Sequence, residues 1–218
     1  MARLLYEKES SSRHLQVTRL HMRRCVLIKG AEKYASSIEP QFNELKRRSN
    51  ATSEKAELRE NAYDAVIYYD SELDGESKDL FNACERYDRR NPGELILKKI
   101  FPDGKFSVIT MQSRKKQHTL TEGLLLRLEN LGQEHQLFPI SIDLRNALTL
   151  AVNAEKAYEA AELEEKKAVT EELIAQAALR NQYEKNYLTS RNELGKKIAE
   201  KLFPPFATKK KTVVNDAA

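Results

Sequence analysis

From Ser141 to Leu202 apolar residues recur mostly at steps of three, four or seven positions, and no proline interrupts the run. Leu144, Ala147, Leu148, Ala151, Ala154, Tyr158, Ala161, Ala168, Leu173, Leu179, Tyr183, Tyr187, Leu194, Ile198 and Leu202 form the stripe. Steps of three and four line one face of an α-helix. The spacing therefore predicts a single helix over residues 141–202, ~93 Å long at a rise of 1.5 Å per residue. Phe138–Pro139 opens this element, Ser141 is the expected N-cap, and Pro204–Pro205 closes it. A helix draws most of its stability from packing its apolar face, so one of this length requires a long partner. The chain has only 7 Gly and 6 Pro in 218 residues. That is too few for the frequent turns of a β-sandwich.

Residues 12–93 supply the partner. Leu15, Leu20, Val26, Leu27, Ala31, Tyr34, Ile38, Phe42 and Leu45 keep helical steps, as do Ala62, Ala65, Val66, Tyr69, Leu73, Leu80, Cys84 and Tyr87. One of Ser10, Ser11 and Ser12 is the expected cap, after an irregular arm at 1–11. Pro40 predicts a kink or a restart, because proline lacks an amide donor and clashes with the preceding turn. The polar stretch 46–61 contains Ser49, Asn50, Thr52 and Ser53, which favour a turn near 49–53 by bonding their own backbone. A helix continuing through it is the alternative. Asn91-Pro92-Gly93 ends the segment.

Between the two halves, Leu95-Ile96-Leu97 and Val108-Ile109-Thr110 flank Phe101-Pro102-Asp103-Gly104-Lys105-Phe106. A Pro-Asp-Gly turn between β-branched and aromatic flanks predicts a hairpin within an insertion at 94–117. A helix through Lys98 followed by a loop is the competing reading. Residues 118–203 then comprise a short helix, capped by Thr119 or Thr121 and ended by Gly132, and the long helix. Residues 204–218, with Lys209-Lys210-Lys211, read as a disordered tail. The resulting fold class is mainly α: an elongated antiparallel bundle of coiled-coil-like long helices with a small hairpin-like insertion. The stripe is too discontinuous for a two-stranded zipper.

Charge is distributed in blocks. Residues 1–50 carry 11 basic and 5 acidic side chains, a net of +6, and residues 51–93 carry 6 and 11, a net of −5. Such blocks favour pairing within or between chains. No apolar run is long enough to span a bilayer, and the start lacks the apolar core of a secretion signal. Two distant cysteines make no disulfide framework and suit a reducing cytoplasm.

Chemistry-bearing motifs are sparse. Asp70-Ser71-Glu72-Leu73-Asp74-Gly75-Glu76 has the oxygen spacing of the first half of a calcium loop, but the twelfth position is Phe81 and the ninth is Lys78. His14, His21 and Cys25 share a helical face with zinc-type donors, yet lack a fourth ligand and lie among Arg13, Arg23 and Arg24, so ordinary helix-surface roles are expected. Cys84 or His118 would have to complete the set. Phosphate loops, di-iron motifs and nucleophile elbows do not occur. Cys25 and Cys84 have no base beside them in sequence. We therefore expect no catalysis, no cofactor and no metal.

The expected function is self-association as a scaffold, rod, ring or filament subunit, a homo-oligomer in the cytoplasm. Bare stripes on long helices tend to find copies of themselves. Phe101, Phe106, Tyr158, Tyr183 and Tyr187 are the expected interface aromatics, the first two as a projecting apolar knob. The alternative is a nucleic-acid-binding module using Arg13, Arg19, Arg23, Arg24 and Lys29, since phosphate contacts need only positive charge on one face.

Overall fold

A computed structural model describes residues 4–203, which are mainly helical and contain no strand. The helices are α1 (Ser11–Leu27), α2 (Glu32–Arg90), α3 (Ile96–Ile100), α4 (Ser107–Thr110), α5 (Arg114–Glu129), α6 (Phe138–Leu194) and α7 (Lys196–Leu202). The expected tail at 204–218 and the first three residues of the expected arm lie outside the described residues. The chain divides into two compact units, one taking in residues up to Lys55 and from Glu165 onward, the other Ala56–Glu164. We call them the terminal and the central unit.

The terminal unit is built from α1, the first part of α2, the last part of α6, and α7. Ser10 is the N-cap of α1, its hydroxyl accepting from the Arg13 amide at 3.3 Å. The chain does not run straight from α1 into α2. It turns at residues 28–31, where Gly30 adopts φ +85°. That left-handed geometry suits glycine and interrupts the apolar steps of the sequence without altering their spacing. Pro40 lies inside α2 on its exposed side, and the helix continues through it. The expected turn at 49–53 is absent. Thr52 and Ser53 instead donate their hydroxyls back to the carbonyls of Arg48 and Ser49, at 3.1 Å each. The same local bonding that favours turns is thereby absorbed within helical backbone. Helix α6 runs antiparallel to α2: Ser37 meets Asn186, and Arg48 meets Glu171. Val17, Cys25, Ile38, Leu45, Leu179, Tyr183, Leu202 and Phe203 form the buried core.

The central unit packs the remainder of α2 and α6 with α5, and closes one end with α3 and α4. The expected hairpin is replaced by these two short helices. The reason lies eight residues upstream. Asp88 turns its carboxylate toward the start of α3 and accepts from the Ile96 amide at 2.8 Å and the Leu97 amide at 3.0 Å. Two otherwise unpaired first-turn donors are satisfied, which fixes helical rather than extended backbone. Pro102-Asp103-Gly104 remains a turn, with the Gly104 amide on the Phe101 carbonyl at 2.9 Å. Ile96, Ile100, Phe101 and Ile109 then join Leu73, Leu80, Leu124, Leu128, Leu144 and Leu148 in one core. Burying each such leucine contributes about 1.5–3 kcal/mol.

Three further boundaries differ from the sequence reading. Helix α5 starts at Arg114, so Thr119 and Thr121 are interior residues rather than caps. Helix α6 already begins at Phe138, and the Ser141 hydroxyl bonds back to the Phe138 carbonyl at 2.6 Å instead of capping. Pro139 is tolerated because first-turn amides have no helical acceptor. The long helix also ends earlier than Leu202. Gly195, at φ 80° and ψ 160°, breaks it before α7.

Candidate interaction face

The last turns of α1 carry the surface that its chemistry sets apart. Here His21 and Cys25 face inward and are fully buried, Met22 and Arg24 are half-buried, and the opposite side of the helix faces out. Val26 and Leu27 are 68% and 82% exposed. Arg19, Arg23 and Lys29 are exposed around them. Two shallow grooves flank the ridge. Leu20, Leu27 and Ile28 line one with Arg23, Arg24 and Lys201. Met22, Val26 and Phe42 line the other, with Arg19, Arg23, Glu32 and Glu39. The result is an apolar centre with a mainly cationic rim.

A polar network behind this ridge fixes its orientation. The His21 Nδ1–H donates to the Leu202 carbonyl at 3.2 Å, so its Nε2 is the acceptor and faces the Asn186 amide at 3.4 Å. That amide also donates to the Tyr34 carbonyl at 2.7 Å, while the Asn186 carbonyl oxygen accepts from Ser37 and Gln182, each at 2.9 Å. Phe203 stacks on the His21 ring at 4.1 Å, and Tyr183 meets it edge-on at 5.2 Å. Burial pushes the His21 pKa down to about 4, against the smaller opposing effect of the Leu202 carbonyl. Outside the core, Arg24 donates to the Lys201 carbonyl at 3.0 Å. A cation and an imidazole thus satisfy carbonyls at the end of α7, where the helix leaves them without amide donors.

The metal and nucleophile candidates resolve differently. His14, His21 and Cys25 are core residues, not surface ones. His14 bonds the Tyr6 carbonyl at 2.9 Å through Nε2. Cys25 contacts His21 at 3.6 Å, but burial, followed by the charge of Glu32, raises its thiol to about 12. Cys84 is raised to about 12 as well, by burial and then by Asp88. Thiols held protonated are poor nucleophiles and poor metal ligands. His118 sits in the other unit, 3.4 Å from Glu155. The segment Asp70–Glu76 is continuous helix and so cannot wrap a cation. Asp70 pairs with Arg114 at 3.4 Å, and Asp74 accepts from Gln117 at 2.7 Å. Among the described residues no three His, Cys, Asp or Glu side chains converge as a metal site.

The five expected interface aromatics are not brought together. Phe101 is buried against Phe81 at 5.2 Å, with Phe106 half-buried beside the same ring at 5.7 Å, so the knob does not project. Tyr158 is half-buried against Tyr63 at 5.3 Å. Tyr183 is buried in the terminal core, and Tyr187 packs on Phe203 at 5.4 Å. Of the five basic residues, Arg19, Arg23, Arg24 and Lys29 gather around the ridge, whereas Arg13 lies further back and bonds Gln16 at 2.7 Å. Sequence reasoning missed Val26 and Leu27 as surface residues because they fit the apolar steps. The adjacent Ile28-Lys29-Gly30, read as a helix end, would have released them. Comparison with known protein families, with curated proteins and with solved structures finds no match to this chain.

Proposed function

We propose that the protein is a structural subunit that self-associates through exposed helical surface, without catalysis. The observation that carries this reading is the bare Val26–Leu27 ridge, 68% and 82% exposed and bounded by cations. Adjacent large apolar side chains held open to water on a rigid helix gain free energy when a partner covers them, about 25 cal/mol per Å² of apolar area removed. The interface belongs on this ridge and on other exposed side chains, in place of Phe101 and Tyr183. A reducing cytoplasm fits the two unpaired, buried thiols. No helix among the described residues is long and apolar enough to cross a membrane.

Light scattering during gel filtration, at two protein concentrations and two salt levels, tests the reading. The expected result is a mass above 25.1 kDa that rises with concentration. A fixed monomer mass under all conditions overturns it.

A second reading is binding of a nucleic-acid backbone by Arg19, Arg23, Arg24 and Lys29. It is favoured by the lack of any ion pair at Arg19, Arg23 or Lys29 among the described residues. It ranks below self-association because the apolar pair occupies the centre of the face, and Glu32 and Glu39 line the adjoining groove. This binding would weaken steeply between low and moderate salt, and salt-independent or undetectable binding rejects it.

A further inference from the structure

The exposed side of α2 within the central unit carries a second amphipathic face, and its pattern is that of α1 with the charge inverted. On α1 the exposed order is Arg19, then Arg23 four residues on, then Val26 and Leu27 three and four residues further. On α2 it is Glu60, then Asp64 four residues on, then Ile67 and Tyr68 three and four residues further. Ile67 is 49% exposed and Tyr68 59%. Glu57, Glu72 and Asp79 extend the acidic face along the same helical side and are exposed. Glu60 lies 3.7 Å from Arg59, and Lys78 borders the face. No ion pair engages Glu57, Asp64, Glu72 or Asp79 among the described residues. Glu76, at the border, is shifted upward by burial and then by Asp143, Asp79 and Glu72, which marks the field here as negative.

From this correspondence we infer that the partner of the α1 ridge is the Glu60–Tyr68 face of α2 on a second copy of the chain. This rests on the self-association reading and names its two surfaces. Because both patterns run in the same direction with the same steps, the helices pair in parallel. Arg19 lies opposite Glu60, Arg23 opposite Asp64, and Val26 and Leu27 against Ile67 and Tyr68. Opposite charges at the rim set register and suppress wrong pairings, while the apolar pairs supply the desolvated centre. The contact joins two different patches, so each copy offers one of each.

Sedimentation of the full chain and of two charge-reversed forms tests this. One form carries Arg19→Glu with Arg23→Glu, the other Glu60→Arg with Asp64→Arg. All four positions are exposed, and circular dichroism verifies that each variant keeps its helix content. Each form alone is expected to associate at least ~10-fold more weakly than the unaltered chain, the equivalent of about 1.4 kcal/mol. An equimolar mixture of the two regains association, because every basic patch again meets an acidic one. As a second measurement, Leu27→Cys and Tyr68→Cys chains are mixed and oxidised. A disulfide-linked heterodimer is expected, formed in preference to either homodimer.

If the unaltered chain associates but the reversed forms associate equally well, or their mixture stays dissociated, the pairing is wrong while self-association stands. Equal cross-linking among all pairs also overturns the pairing. If the unaltered chain stays monomeric, the underlying reading fails first. Loss of association in the Arg19/Arg23 form without rescue, together with salt-sensitive retention on nucleic acid, assigns the ridge to the other partner.

Discussion

Asn186 makes four polar contacts inside the terminal core, to Ser37, Gln182, Tyr34 and His21, and leaves no donor or acceptor of its amide idle. Such a site holds its neighbour in one protonation state. With the His21 pKa near 4 when folded and 6.5 when exposed, the unfolded chain binds the extra proton first. The contribution of His21 is therefore complete above pH 6.5 and is lost as pH falls from 6.5 toward 4, on the order of 3 kcal/mol in all. Melting temperature should drop between pH 7 and pH 5, and the drop should be shallower in His21→Gln. His14 is lowered in the same direction by burial, so part of the slope persists in that variant. Equal slopes would show that His21 is not the proton acceptor. The shared face of His14, His21 and Cys25 was legible from their spacing. Its inward direction was not, because polar side chains signal surface unless their buried partners are known. Those partners, Tyr6, Asn186 and Leu202, are distant in sequence or on backbone.

Helical periodicity marked the long helices but not α3 and α4, and the ends were set by chemistry that periodicity does not register. Glycine shows this most directly. Gly195 combines φ 80° with ψ 160°, a region that only glycine occupies without strain. Gly75 lies within α2, is exposed, and has open space where a Cβ would stand. The same substitution should thus have opposite effects at the two sites. Gly195→Ala is expected to destabilise by about 1–3 kcal/mol. Gly75→Ala is expected to stabilise by about 0.5–1 kcal/mol, through helix propensity. Urea denaturation of both variants measures the two signs, and a loss at Gly75 would contradict its helical backbone. The missing hairpin has a comparable origin. Ile96 and Leu97 carry strand-like side chains, but a carboxylate from Asp88 reaches their amides first. A local pattern cannot reveal a cap supplied from eight residues away.

For the whole molecule, the block charges were visible in the sequence, and part of their neutralisation is internal to the central unit, where Asp70 meets Arg114. The division into two cores was less accessible: each long helix contributes residues to both, and the polar stretch 46–61 that spans the boundary at Lys55–Ala56 reads locally as a turn. That division gives the two cysteines a use. Cys25 belongs to the terminal core and Cys84 to the central one, and both are fully buried. A thiol reagent added to native protein should react with neither on mixing, and the later rate should follow transient exposure. In Cys84→Ala the rate reports opening of the terminal unit alone, and in Cys25→Ala that of the central unit alone. Immediate labelling of either would contradict its burial. If the two rates coincide over a range of urea, the cores open as one cooperative event. If they separate, one unit persists while the other exchanges, so each chain carries its own pair of clocks for the order in which its halves come apart.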